Sequence, residues 1–409
     1  IGAEIFIDTW AMVNPGNPER ACEMARKAAS VSHDGVAVDA AVYLAAMEAM
    51  AFEEKDIDKL LDKGLAYIDN EEFKSLIAEL REKCAKASDW YEVRQWIADE
   101  HGYDKYPGNC PMITNHLTLL MAFIMGGDDF QKACMIACSA GWDTDCNSGN
   151  VGCLNGIRLG LDGFTKGADL RRPVADRLYV VTSDGGSCIS DAVIETRKIL
   201  KAAAKLNGEE IKLPEERLAF EYPGSVQGIV PYDKDCEEQV LTKIENSYET
   251  TGEYGCRICY EGLASGVHAS VAIDTFIDLK PKGKEGTSYF DVLCSPTLYS
   301  GQDICLVVDA LNYKNPKLEL FFEYFDENDF LENIYCGKHG LNKGRNILHL
   351  NVPDTQGHPI FRVGICLTSE ERLDGSIIVK SIDWANTPEK YKMGRSMDMT
   401  PTLTLQRHG

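Results

Sequence analysis

The sequence predicts a multidomain α and β protein, a helical half followed by an antiparallel β-sandwich of jelly-roll-like character. Three observations carry that reading. Apolar residues recur with the helical period from Ile1 to about Asn207, then with a period of two from about Leu213 to residue 390. Between the two regimes lies "LNGEEIKLPEER", polar and charged as a linker should be. The length, 409 residues, also exceeds one ordinary domain. The predicted division is residues 1–207 all-α, 213–390 β-sandwich, and 391–409 an irregular tail with neither period.

In chain order, "IGAEIFIDTW" reads as the interior of an amphipathic helix. It has no initiator Met, no basic stretch and no small-residue cleavage site, so it is no signal peptide. Such a start predicts that the chain begins partway through a domain. Asn17 is the expected N-cap of the next helix, with Pro18 at its first position. Further apolar faces follow: Leu60, Leu61, Leu65 and Ile68, then Phe73, Leu76, Ile77, Leu80 and Cys84, then Trp90, Val93, Trp96 and Ile97. Gly126-Gly127-Asp128 breaks the apolar helix that starts near Thr114, and another runs from Phe130 to Ala140. In "TSDGGSCISDA", Ser187 is the expected cap of a helix, with a phosphate nest as the rival reading.

Beyond Leu213 the stretches "SVAIDTFIDL", "DICLVVDAL", "KLELFFEYF", "NILHLNV", "IFRVGICLT" and "SIIVKSIDW" alternate, separated by turn clusters such as "NYKNP" and "PDTQGHP". Many short strands without intervening helices predict a sandwich. Trp384 is expected at the edge of its core rather than as a sugar-stacking platform.

Composition excludes several classes. The 42 basic and 64 acidic residues give a formal net charge of −22, which repels phosphate backbones and anionic lipid. No nucleic-acid or membrane partner is expected. The longest apolar run, "LTLLMAFIM", is far short of the roughly 20 residues that span a bilayer. Fifteen cysteines without a framework spacing predict free thiols in a reducing, cytoplasmic setting. The C-x-x-C of Cys256 and Cys259 has no second pair and predicts no zinc site.

The chemistry concentrates in "SAGWDTDCNSGNVGCLNGIRLG". On a continuous helix Asp143 and Asp145 point apart; in a loop entering a helix they converge. Two readings stand on these residues: a helix cap, or a pair of hard oxygen ligands for Mg²⁺ or Mn²⁺. A calcium loop of EF-hand type fails, because Ser148 and Leu154 occupy the positions that need Gly and Glu. Gly152, Gly156 and Gly160, spaced by four, predict a helix face packed closely against another backbone.

"GWDTDCNSGNVG" resembles the C-terminal metal motif of the ADP-ribosylglycohydrolases. "IGAEIFIDTWAMVNPGNPE", "ASVSHDG" and "ITNHLTLLMAFIMGGDDFQKACMIACSAGWDTD" have that family's look and order. The resemblance covers about Ile1 to Leu161. It implies an all-α domain, incomplete at its N-terminus, with a two-metal Mg²⁺ or Mn²⁺ site that hydrolyses ADP-ribosyl or related ribosyl bonds. Asp143 and Asp145 would be metal ligands and act catalytically through the metal. Cys146 stands where the family has a ligating Thr. His33, with Ser32 and Asp34, would contact ADP-ribose or an ADP-ribosylated substrate; the rival reading is a turn in which Asp34 caps a helix. The family's other motif, Thr-Asp-Asp-Thr, is not in the chain, so only half the ligands are present, and activity of this chain alone is expected to be impaired. The alternative is a non-catalytic protein that binds ADP-ribose or carbohydrate.

Overall fold

The computed structural model describes residues 2–179, 187–232, 242–277, 295–328 and 330–385. It divides into two compact units: Ile1–Asp169 with Ile199–Ile211, and Leu170–Lys198 with Lys212–Gly409.

The first unit is helical. A 3-10 turn, Gly2–Phe6, precedes α1 (Asp8–Met12). The expectation of one amphipathic helix there is therefore corrected: Ile7, fully buried, sits in the break between two short pieces. Next come α2 (Pro18–Ala29), α3 (Gly35–Ala51), α4 (Ile57–Gly64), α5 (Glu71–Lys86) and α6 (Trp90–His101). After these, α7 (Met112–Gly126), α8 (Phe130–Ser139) and α9 (Thr144–Phe164) complete the bundle. Asn17 caps α2, its side chain accepting from the Arg20 amide, as the Asn-Pro pair predicts. Gly127 takes φ 63° after α7, and Asp129 caps α8 through the Lys132 amide. α3 and α7 are apolar nearly all round and nearly all buried, which makes them the centre of the unit.

Buried polar groups interrupt that centre, among them Glu4, Glu48, Asn115 and His116. Buried polar groups need partners. They are the first sign that this core does more than pack.

The second unit begins with a hairpin. β1 (Arg177–Tyr179) pairs antiparallel with β2 (Ile189–Asp191), followed by α10 (Ala192–Asn207), whose residues from Ile199 on group with the first unit. Residues 1–207 are therefore not all-α; the three-residue strands are too short for periodicity to register. Residues 182–186 of the expected nest lie outside the described residues. The cap of α10 is Asp191, which accepts from the Val193 and Ile194 amides at 2.8 Å, rather than Ser187.

The remaining strands are β3 (Val230–Pro231), β4 (Lys243–Asn246), β5 (Cys256–Leu263), β6 (His268–Asp274), β7 (Asp303–Ala310) and β8 (Lys317–Phe325). Then come β9 (Leu331–Tyr335), β10 (His339–Gly340), β11 (Gly344–Asn351), β12 (Ile360–Thr368) and β13 (Leu373–Ala385), with one helical turn, α11 (Tyr248–Thr251), after β4. One sheet runs β10-β8-β12-β6-β3, with β9 also on β8; the other runs β11-β7-β13-β5-β4. All pairings are antiparallel. Val271, Leu320, Phe322 and Ile365 of the first sheet share one buried cluster with Ile258, Leu306, Val308 and Ile377 of the second. This is a β-sandwich, with the alternation of each strand choosing which side chains face the partner sheet. Trp384 packs at the edge of that cluster, its indole N–H donating to the Thr297 carbonyl at 2.6 Å. Cys256 and Cys259 are free thiols on opposite faces of β5, one buried and one half-buried. The irregular tail, 391–409, lies outside the described residues.

Candidate active site

The site is built at the entry to α9. Gly141 takes φ 91° and Trp142 φ 60°. The first is natural for glycine; the second is left-handed backbone that a bulky residue adopts only when its surroundings hold it there. They do. The Arg94 guanidinium lies 4.5 Å from the Trp142 ring centre, and the Tyr103 ring stacks on it at 6.3 Å and 26°. The Arg94 Nε also donates to the Ala140 carbonyl at 2.9 Å. The loop is clamped from both ends.

That clamp fixes where the aspartates point. Asp143 precedes the first turn of α9, yet its side chain makes no capping bond. A carboxylate oxygen of Asp143, one of Asp145 and the Cys146 Sγ all lie within 4.8 Å of one another. Asp145 is exposed; Asp143 and Cys146 are half-buried. Two like charges held together in this way are unfavourable without a cation or proton between them. Burial, and then Asp143 and Asp145, push the Cys146 thiol up to about 12, so it stays protonated at neutral pH. Of the three donors, the two carboxylates suit a hard divalent cation and the thiol is the misfit.

Beneath the cluster, the Asn115 Oδ1 accepts from the Asp143 amide at 3.3 Å and from the Asn147 side chain at 3.0 Å. The Asn115 amide donates to the Tyr103 hydroxyl at 3.0 Å. Asn115 and Asn147 are fully buried. Sequence reasoning missed Arg94, Tyr103, Asn115 and Asn147. The signal was present for Asn115, a polar residue inside the otherwise apolar "MITNHLTLLMAFIM".

The other expected residues are placed elsewhere. Ser32 and His33 bond each other at 2.8 Å on an exposed turn, and Asp34 precedes α3 without a side-chain capping bond. Among the described residues no hydrogen bond joins this turn to Asp143 or Asp145. Asp128 pairs with the buried Arg158 and Asp129 caps α8, so neither replaces a missing acid.

The glycine face is a correction. A Cβ at Gly149 or Gly156 would meet nothing within 4 Å, and one at Gly152 only side-chain atoms at 3.9 Å and beyond. Gly160, at φ 65°, breaks the helix. Among the described residues no backbone packs there. The buried face of α9 is instead Asn147, Asn150, Val151, Leu154, Asn155 and Arg158, so the helix is anchored by polar contacts.

Residues 6–203 match the family model described as ADP-ribosylglycohydrolase. No curated protein matches the chain. Among solved structures, the chain is similar to a carbohydrate-binding module of the β-sandwich superfamily with promiscuous specificity: 12% identity, covering 44% of this chain and 64% of that one, TM-score 0.30. It is also similar to the CBM22-1 xylan-binding domain from Paenibacillus barcinonensis, with 12% identity, 44% and 99% coverage and TM-score 0.28. A family 11 carbohydrate-binding module from Clostridium thermocellum gives 12%, 42% and 95%, with TM-score 0.25. At such identity and TM-score the ligands of those modules do not transfer to this chain. Among the described residues no helix is long and apolar enough to cross a membrane. Residues 6–203, just under half of the chain, are therefore the part that the ADP-ribosylglycohydrolase family accounts for.

Proposed function

We propose that the helical unit hydrolyses ADP-ribosyl or closely related ribosyl bonds, with Asp143 and Asp145 holding Mg²⁺ or Mn²⁺. The observation that carries this reading is the convergence of the Asp143, Asp145 and Cys146 donors within 4.8 Å, while the capping bond that would otherwise occupy Asp143 is not made. A bound divalent cation would supply positive charge to hold ribose hydroxyls and lower the pKa of water.

The chain's own contribution is positional. Arg94 and Tyr103 fix Trp142, Trp142 and Gly141 set the loop, and the loop aims both carboxylates at one point. Asn115 receives the Asp143 amide, which holds that residue out of the regular helix. Placement of this kind is worth several kcal/mol of barrier when it pre-orients the reactants. Cys146 weakens the site, because a soft sulfur is a poor donor for a hard cation. On His33, Ser32 and Asp34 the exposed turn leaves side chains available to a substrate, and we assign them to ADP-ribose contact.

The second reading is ADP-ribose binding without turnover. It is favoured by one observation, that the third donor beside Asp143 and Asp145 is the Cys146 thiol, a poor ligand for a hard cation. Single-turnover assays on an ADP-ribosylated arginine peptide, alongside calorimetry with ADP-ribose, separate the two. Mn²⁺-dependent release of ADP-ribose that Asp143→Asn abolishes supports hydrolysis. Binding of ADP-ribose with no release on any ADP-ribosylated substrate supports the second reading. Neither binding nor release contradicts both.

A further inference from the structure

A second cluster lies deeper in the helical unit. A carboxylate oxygen of Asp8 on α1, one of Glu48 on α3 and the Sγ of Cys153 on α9 lie within 4.8 Å of one another. Cys153 is eight residues past Asp145 on the same helix, roughly 12 Å along its axis. This is a different place from the Asp143 loop, and its chemistry is independent of the function proposed there.

Its surroundings do not neutralise it. Glu48 is fully buried and neither of its oxygens meets the geometry of a hydrogen bond. The polar groups acting on it are the Asp8 carboxyl, the Cys153 thiol and Glu4. Glu4 is also fully buried, with one oxygen bonded to the His116 Nδ1 and the other unpartnered. Asn150, 2% exposed and three residues before Cys153, donates to Asp8 at 2.7 Å, while its own oxygen has no partner. Three acids thus share a buried space, and the groups acting most strongly on Asp8 and Glu48 include no Lys or Arg. Burying a carboxylate without a counter-charge costs several kcal/mol. Something positive must enter, either protons or a metal ion.

The donor set argues for the ion. Two carboxylates and a thiol within 4.8 Å of one another need only a small side-chain adjustment to close on zinc, whose tetrahedral ligand atoms sit about 3.4 Å apart. A sulfur donor favours Zn²⁺ over Mg²⁺. Glu48, whose two buried oxygens have no partner, places one of them within reach of the other two donors. We propose that Asp8, Glu48 and Cys153 form a structural centre for Zn²⁺ or a similar borderline divalent ion, tying α1, α3 and α9 together. Asp8 and Cys153 are half-buried, which leaves the ion a way in. Carboxylate and thiol ligands must be deprotonated to bind, so metal competes with protons and binds better as pH rises.

The test uses the full chain with Asp143→Asn, Asp145→Asn and Cys146→Ser, which removes the other cluster. Loaded with Co²⁺ and dialysed, it is expected to keep about one ion per chain and to show a thiolate-to-cobalt charge-transfer band. Cys153→Ser in that background should remove the band. Glu48→Gln should cut retained metal at least about tenfold. As a check that survives misfolding of either variant, Zn²⁺ should raise the Tm of the background protein, more at about pH 8 than at about pH 6. A background protein that unfolds cooperatively but keeps no metal, shows no band and gains no Tm overturns the proposal, and the acids are then neutralised by protons. A band that persists in Cys153→Ser also overturns it.

Discussion

Asp143 and Asp145 were legible as a pair because their spacing behind Gly141 is local, and a loop entering a helix lets such neighbours converge. Asp8, Glu48 and Cys153 were not legible, because three separate helices bring them together and no short pattern records that. Glu48 offers a direct measurement. Burial holds its carboxyl protonated well above its ordinary 4.5, whereas the unfolded chain loses that proton near about 4.3. Above the unfolded value the native state of metal-free protein binds the extra proton, so stability falls as pH rises, and it is fully present only below about pH 4.3. In chelator, Glu48→Gln should therefore gain Tm over the parent as pH is raised from about 5 to 8. Parallel Tm curves across that range would show that Glu48 is charged in the fold. Trp142→Ala tests the clamp: losing the surface between Arg94 and Tyr103 should weaken Mn²⁺ stabilisation with little change in helix content. Unchanged stabilisation would mean that Trp142 does not position the aspartates.

Periodicity established the long helices and strands, and the cap at Asn17 followed from local chemistry. Short pieces escaped it: the break at Ile7 and the β1–β2 hairpin each involve too few residues to show a period. The glycines of α9 misled, since a stripe of small residues predicts close packing only if a neighbour is there to fill it. That supplies two opposite expectations. Gly156→Ala should stabilise by about 1 kcal/mol, because it improves helix propensity in open space. Gly126→Ala, at the end of α7, would put a Cβ 2.4 Å from that of Ala133 and 2.6 Å from its Cα, and should destabilise by about 1–3 kcal/mol. Thermal unfolding of the two variants decides the matter, and equal shifts of the same sign would contradict the packing described here.

At the scale of the whole molecule, we propose that the sandwich folds on its own, as the change of period near Leu213 implies. The segment Leu170–Lys198 groups with it. Arg197 forms a paired, mostly buried contact with Glu221. Asp176 accepts from the Val226 amide at 2.6 Å and the Gln227 amide at 3.2 Å, and Asp191 from the Gln227 side chain at 3.1 Å. A fragment starting at 213 leaves those donors unmet, at about 1–3 kcal/mol each. It should unfold cooperatively but at lower temperature than one starting at 170; a 213 fragment with no transition would mean the sandwich needs the earlier segment to fold. The function proposed for the helical unit turns on the pair of aspartates at the head of α9. Their role as cation ligands is read out by a Mn²⁺ titration of the full chain, with free Mn²⁺ followed by electron paramagnetic resonance. The parent chain should bind Mn²⁺, Asp143→Asn and Asp145→Asn should each weaken binding by at least about tenfold, and Glu48→Gln should leave it unchanged. Equal binding by the parent and both aspartate variants, with the fold intact, would show that Asp143 and Asp145 are not metal ligands.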